Sequence, residues 1–146
     1  MISSSHPESK AVHHQARFVT REAIALLLHL KPQEIYRIDC WRHVIHVVGK
    51  GISTFVSYAD LPPILGVEPP TPKDFLIWRK RWQKNQNKAP KFWSEFYAEK
   101  FRTVPTLREM HTWGELVSVI KSAMPESAVQ WLRNVYIQEK QAMENF

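Results

Sequence analysis

Residues 44–58 read Val-Ile-His-Val-Val-Gly-Lys-Gly-Ile-Ser-Thr-Phe-Val-Ser-Tyr, and two runs in this stretch alternate with the period of a β-strand. The first run covers residues 44–48 and the second covers residues 52–58, with Gly49-Lys50-Gly51 between them. Short runs rich in β-branched residues around a glycine-containing turn are typical of a β-hairpin. We therefore predict a hairpin here and interpret the flanking segments in relation to it.

Two helices are predicted before the hairpin. Thr20 is placed to cap the first one. Its apolar residues recur at helical spacing: Ala23, Leu26, Leu27 and Leu30. Lys31-Pro32 ends that helix and starts another, because proline suits the first helical position. The second helix is predicted over residues 32–41, with Ile35 and Ile38 pointing inward.

The hairpin is followed by a short helix and a linker. Ser57 and Asp60 resemble a capping box, which predicts a helix over residues 58–65 that Pro62 and Pro63 restrict to about one turn. Residues 66–73 hold three prolines in four residues and disfavour both helix and sheet. We interpret them as a linker.

The second half is predicted to be entirely helical. Aromatic residues recur at helical spacing after residue 74, and capping-box patterns begin at Thr106 and Thr112. A last helix is predicted over residues 125–143. The fold class is thus mainly α with a small β-hairpin, divided into a disordered arm (1–14), an N-terminal domain (15–65), the linker (66–73) and a helical domain (74–146).

Three stretches of the N-terminal domain carry a family resemblance. They are Phe18-Val-Thr-Arg-Glu-Ala-Ile-Ala-Leu-Leu-Leu28, Leu30-Lys-Pro-Gln-Glu-Ile-Tyr-Arg-Ile38 and Phe55-Val-Ser-Tyr-Ala-Asp-Leu61. Together they resemble the MerR/excisionase family of winged helix-turn-helix proteins, over roughly a third of the chain. The chain departs from the family pattern at Tyr36, where arginine is usual, and lacks the Gly-Tyr-Arg of many wings.

The resemblance implies a sequence-specific regulator that binds double-stranded DNA. The regulator is expected to act as a homodimer on a palindromic site, as a repressor more than as an activator. A link to a mobile element is also implied by the resemblance. The second helix would enter the major groove, and the hairpin would touch phosphates. The expected base-reading residues are Gln33, Tyr36 and Arg37. The expected phosphate contacts are Arg21, Lys31, Arg42, His43, His46 and Lys50. An ordinary solvated side chain is the alternative at each position.

The basic surplus lies mainly in the middle of the chain. The net charge is +6, and residues 66–110 hold ten Lys and Arg against five Asp and Glu. Arg79, Lys80 and Arg81 stand between two tryptophans, so we expect them either to flank DNA or to form a solvated helix face. An RNA-binding protein that uses residues 78–91 is an alternative, as is a protein-interaction adaptor on a winged-helix scaffold.

Two further sites are expected in the helical domain. An aromatic set is expected to line an effector pocket or, more ordinarily, to form core: Phe92, Trp93, Phe96, Tyr97 and Trp113. The last helix is expected to make the dimer contact, through Ala128, Trp131, Leu132 and Val135, because MerR-like proteins pair through C-terminal helices.

Composition argues against several other classes of protein. The single cysteine, Cys40, excludes an intramolecular disulfide and zinc-finger spacing, and it fits a reducing cytoplasm. The sequence shows no nucleotide-binding, metalloprotease or serine-hydrolase motif, so we expect neither an enzyme nor a cofactor nor a metal. The chain has no apolar run long enough to cross a bilayer. A cytoplasmic, nucleoid-associated location is expected.

Overall fold

The structure is a computed structural model that describes residues 13–85 and 88–145. The chain divides into two compact units at the Pro62–Pro63 bond, and each unit is described by itself. The described residues are mainly helical, with one small three-stranded antiparallel sheet. No helix among them is both long and apolar enough to span a membrane.

The N-terminal unit contains a short helix, α1 (Arg21–Leu28), which starts where the sequence predicts. The Thr20 hydroxyl accepts a hydrogen bond from the Ala23 N–H at 3.1 Å. The helix ends at His29, which adopts a left-handed conformation with φ of 59°. Short 3-10 turns lie at His14–Phe18, Pro32–Glu34 and Tyr58–Asp60. The last of these is capped by Ser57, so the predicted short helix is a single turn.

The sheet consists of β1 (Ile35–Cys40), β2 (Ile45–Gly49) and β3 (Ile52–Val56), in that order and antiparallel. The hairpin prediction is confirmed by β2 and β3, which pair from Ile45↔Val56 to Gly49↔Ile52. One face of the sheet is buried through Ile35, Ile45, Val47 and Val56. The core of the unit is completed by α1 residues and Phe18.

The predicted second helix over residues 32–41 is wrong. Only Pro32–Glu34 forms a 3-10 turn, and residues 35–40 form strand β1. The chain therefore has no recognition helix at this position, and the structure does not confirm the winged helix-turn-helix arrangement. β1 instead adds a third strand beside the predicted hairpin.

A β-bulge explains why the sequence of β1 resembled a helix. The pairing passes from Ile35↔Gly49 directly to Arg37↔Val48, so Tyr36 is an extra residue in the strand. Ile35 and Ile38 consequently lie on the same face of the sheet although they are three residues apart. That spacing is also the spacing of one helix face.

The C-terminal unit contains four helices: α2 (Pro72–Asn85), α3 (Lys88–Thr103), α4 (Leu107–Ile120) and α5 (Glu126–Glu144). A 3-10 turn at Lys121–Ala123 extends α4. Thr106 caps α4 as predicted, accepting from the Glu109 N–H at 3.1 Å. The prediction that this half is helical is confirmed for the residues that the structure describes.

Aromatic rings form the core of the C-terminal unit in edge-to-face contacts. Trp93 lies 5.0 Å from Trp78 and 4.6 Å from Trp82, measured between ring centroids. The buried Tyr97 hydroxyl donates a hydrogen bond to the Pro63 carbonyl at 2.7 Å. Pro63, which lies before α2, is therefore hydrogen-bonded to this unit. The expected linker at residues 66–73 thus follows a residue that already packs against the helices.

The expected disordered arm over residues 1–14 lies outside the described residues except for His13 and His14. The His13 ring accepts from the Gln15 N–H at 3.0 Å and stacks on Tyr58 with 4.4 Å between ring centroids. His14 starts the first 3-10 turn. These two residues thus belong to the N-terminal unit.

Gly49 at the end of β2 packs closely against the backbone of Glu34, the residue before β1, and a substitution can test this contact. A Cβ at this buried glycine would lie 2.8 Å from the Glu34 carbonyl oxygen, which accepts from the Lys50 N–H at 2.9 Å. We expect Gly49→Ala to lower the free energy of unfolding by about 1–3 kcal/mol, because the backbone of Glu34 must move. Chemical denaturation measures this loss.

Gly51→Asn is the matched control for that variant. Gly51 has φ of +73°, and a Cβ at this position would meet no described atom within 4 Å. Asparagine tolerates this left-handed conformation. We expect the control to cost less than about 1 kcal/mol. An equal loss in the two variants would contradict the importance of the Glu34 contact.

Candidate nucleic-acid interface

The outer face of the sheet carries the most unusual surface of the N-terminal unit. The register places Asp39, His46 and Phe55 side by side across the three strands, and Arg37, Val48 and Ser53 in the next row. Paired residues of antiparallel strands project to the same side. Since Ile45 and Val47 project inward, both rows project outward.

Trp41, His46 and Phe55 form an aromatic cluster on this face. The Trp41 ring lies 5.4 Å from both the His46 ring and the Phe55 ring, and the His46 and Phe55 rings lie 5.1 Å apart. Trp41 is 49% exposed and Phe55 is 57% exposed. The cluster therefore presents ring surface to solvent.

The backbone of Trp41 is fixed at both its polar groups. Its N–H donates to the Val44 carbonyl at 3.0 Å, which closes the turn between β1 and β2. Its carbonyl accepts from the Tyr58 hydroxyl at 2.5 Å. These two bonds hold the exposed ring at one end of the sheet.

Polar side chains accompany the cluster. Arg37 Nε lies 2.8 Å from Asp39 Oδ2, and His46 Nε2 lies 3.1 Å from Ser53 Oγ. His46 Nδ1 is 3.9 Å from Asp39 Oδ2. Ser53, His46 and Asp39 have the residue types of a hydrolytic triad, but 3.9 Å is too long for the hydrogen bond that orients the imidazole. The arrangement is a surface network.

Basic residues lie at both ends of this face. Arg42 and His43 are exposed in the turn between β1 and β2. Lys50 is exposed in the turn between β2 and β3, 3.5 Å from a Glu34 carboxylate oxygen. The pKa of Glu34 is lowered, first by the hydrogen bond from the Lys31 N–H and also by Lys50. The ion pair at Lys50 is solvent-exposed and contributes little to stability.

The residues expected to contact DNA are distributed over several elements. Lys31 and Gln33 are exposed before β1, and Tyr36 and Arg37 are exposed on β1 itself. Arg21 donates a hydrogen bond to the Ile35 carbonyl, which gives it a structural role. Arg79 and Lys80 are exposed on α2, whereas Arg81 is half-buried.

Sequence reasoning did not single out Trp41 or Phe55. Trp41 stood at the end of the predicted second helix, and Phe55 was one member of an alternating strand. The usable signal was the alternation of Phe55 with Val56, because a strand that buries Val56 must expose Phe55.

The aromatic set that was expected to line an effector pocket or to form core lies mostly in the core. Phe92, Trp93, Phe96 and Tyr97 are buried, and Trp113 lies 6.2 Å from both Phe96 and Tyr97 between ring centroids. These rings pack on one another and form core, which was the alternative expectation.

The expected dimer stripe on α5 is exposed only in part. Leu132 and Val135 are buried within the helical unit and are not available to a partner. Ala128 is half-buried and Trp131 is exposed. The Arg102 guanidinium lies 5.9 Å from the centroid of the Trp131 ring. Only part of the stripe thus remains at the surface.

Comparison with known proteins finds no matching family, no similar curated protein and no similar solved structure. Functional inference therefore depends on the geometry of the site.

The Cys40 side chain lies on the inner face of the same sheet, because Cys40 pairs with Ile45. Burial raises the pKa of the Cys40 thiol above its ordinary value, and the Asp39 charge raises it further. At pH 8 the thiolate fraction should therefore be smaller than that of a free cysteine. We expect the rate of alkylation by iodoacetamide to keep rising with pH beyond the free-thiol midpoint of about 8.5.

The same rate profile in urea is the control, because the unfolded chain should return to the free-thiol midpoint. Asp39→Asn should lower the midpoint of the folded protein, since it removes a negative charge beside the thiol. A folded-state midpoint at or below that of the unfolded chain would contradict the structure.

Proposed function

We propose that this protein binds nucleic acid through the outer face of its N-terminal sheet, with unpaired bases stacking on the aromatic cluster. The observation that carries the proposal is the combination of exposed Trp41 and Phe55 rings with flanking cations on an open sheet. Proteins that bind single strands combine these two features, because every base has an aromatic face and every nucleotide a phosphate.

The cluster suits stacking because a third ring supports its two exposed rings. His46 contacts both Trp41 and Phe55, and its Nε2 is held by Ser53. A ring that is already fixed loses little conformational freedom when a base stacks on it. Sequence-specific RNA recognition commonly uses aromatic residues on an open sheet in this way.

The cations supply contacts for the phosphates. Among the described residues, Arg42 has neither an ion pair nor a hydrogen bond from its side chain, so it is available to a ligand. Arg37 is paired with Asp39, but its side chain is 72% exposed. Exposed pairs contribute only about 0–1 kcal/mol, so a phosphate can compete with the Asp39 carboxylate.

A second candidate is the sequence-specific regulator of duplex DNA that the MerR/excisionase resemblance implies, acting as a homodimeric repressor on a palindromic site. The observation that favours it is the β2–β3 hairpin with Lys50 at its turn. Because β1 replaces the recognition helix, the sheet would have to enter the groove. A two-stranded ribbon such as the β2–β3 hairpin fits a major groove about 12 Å wide.

A titration with fluorescently labelled oligonucleotides tests the proposal. We expect the full chain to bind single-stranded DNA or RNA more tightly than a duplex of the same sequence, with affinity falling as salt rises. Replacing both Trp41 and Phe55 by alanine should weaken single-strand binding by about tenfold or more, since each stacked base contributes about 1–3 kcal/mol. Fluorescence anisotropy gives the affinities.

Trp131→Ala is the matched control, because Trp131 is another exposed tryptophan, 42% accessible, on α5 in the other unit. It should leave the affinity unchanged, and circular dichroism should show all variants folded. Tighter binding to a selected palindromic duplex would favour the second candidate. Equal affinity for single strands in the cluster variant and the native chain would overturn the first.

A further inference from the structure

A groove lies between α4 and α5 in the helical unit. Its volume is about 330 Å³, within the range of small-molecule sites. Phe101 from α3, Val117 from α4 and Leu132 from α5 are buried and form its apolar floor. All of these elements belong to one compact unit.

Gly114 determines how the two helices meet at this groove. A Cβ at Gly114 would lie 2.9 Å from the Tyr136 ring, so the glycine lets that ring rest on the backbone of α4. The Tyr136 ring in turn meets Phe101 edge-on, with 5.1 Å between ring centroids. Two aromatic rings therefore bound one part of the groove.

The rim of the groove carries two cations from different elements. Lys121 follows α4, Arg133 lies on α5, and both side chains are exposed. In the described part of the chain neither of them makes an ion pair or a side-chain hydrogen bond. Glu115 is the one acidic residue that lines the groove, and His111 is also on the rim. The rim thus has an excess of positive charge over an apolar floor.

We propose that this groove binds a small carboxylic acid with an apolar body. The carboxylate would lie at Arg133 and Lys121, and the hydrocarbon would lie against Phe101 and Tyr136. Arginine matches a carboxylate with two parallel N–H donors.

This site is separate from the proposed interface on the sheet and does not depend on it. The test uses the full chain labelled with nitrogen-15 and titrated with sodium octanoate. The chain has four glycines, and only Gly114 lines the groove. We expect the Gly114 amide signal to shift with saturation while those of Gly49, Gly51 and Gly66 stay in place.

Two sets of variants define the chemistry. Replacing both Lys121 and Arg133 by glutamine should weaken octanoate binding by about tenfold or more, because it removes charged hydrogen-bond donors. Arg108→Gln is the control, since Arg108 is exposed on α4 but does not line the groove. Ser118→Trp places a large ring in the groove from an exposed position and should abolish the shift while the protein stays folded.

Octan-1-ol is the neutral counterpart of the probe and should bind at least tenfold more weakly. Equal binding of the alcohol and the acid would overturn the carboxylate assignment. A shift of all four glycines, or no shift at Gly114, would overturn the site. A Gly114 signal that depends on protein concentration without ligand would show that a second copy fills the groove, which also contradicts the proposal.

Discussion

The inward side chains of the central strand, Ile45 and Val47, are fully buried, and the arrangement of the N-terminal unit depends on them. Burying each one contributes about 1.5–3 kcal/mol. A slip of β2 by one residue would place His46 and Val48 in the core and expose both of these side chains. The pairing with β1 on one side and β3 on the other is therefore specified by the same two residues. The position of every outward side chain follows from that register.

The hairpin was predictable because β2 and β3 pair without interruption and keep the two-residue period from Ile45 to Val56. Helix starts were predictable at Thr20 and Thr106, since a cap is a local hydrogen bond between near neighbours in the sequence. Strand β1 was not predictable in the same way. Its bulge at Tyr36 depends on the partner strand, and the resulting spacing of Ile35 and Ile38 is the one that a helix also produces.

In the helical unit the sequence indicated which residues share a helix face but not what covers that face. Spacing alone placed Trp93, Phe96 and Tyr97 together, and it could not distinguish a filled core from a lined pocket. Spacing likewise placed Leu132 on one face of the last helix but could not show whether a second copy or the chain's own core covers that face. Leu132 is buried in the chain's own core. The groove beside Gly114 had no periodic signal, because it results from the approach of the Tyr136 ring across two helices.

The exposed rings of the aromatic cluster, Trp41 and Phe55, are not part of the buried core of the N-terminal unit. The positions of Trp41 and Phe55 face solvent, where threonine or lysine would satisfy the same backbone pairing and protect the sheet better against association. Three large side chains on β1, β3 and the turn after β1 are nevertheless about half exposed or more: Tyr36, Trp41 and Phe55. Clustered apolar surface of this kind on a folded unit commonly marks a binding site. Since the Trp41 backbone is also held at both polar groups, the fold positions this exposed ring, which supports the proposal that a base stacks on it.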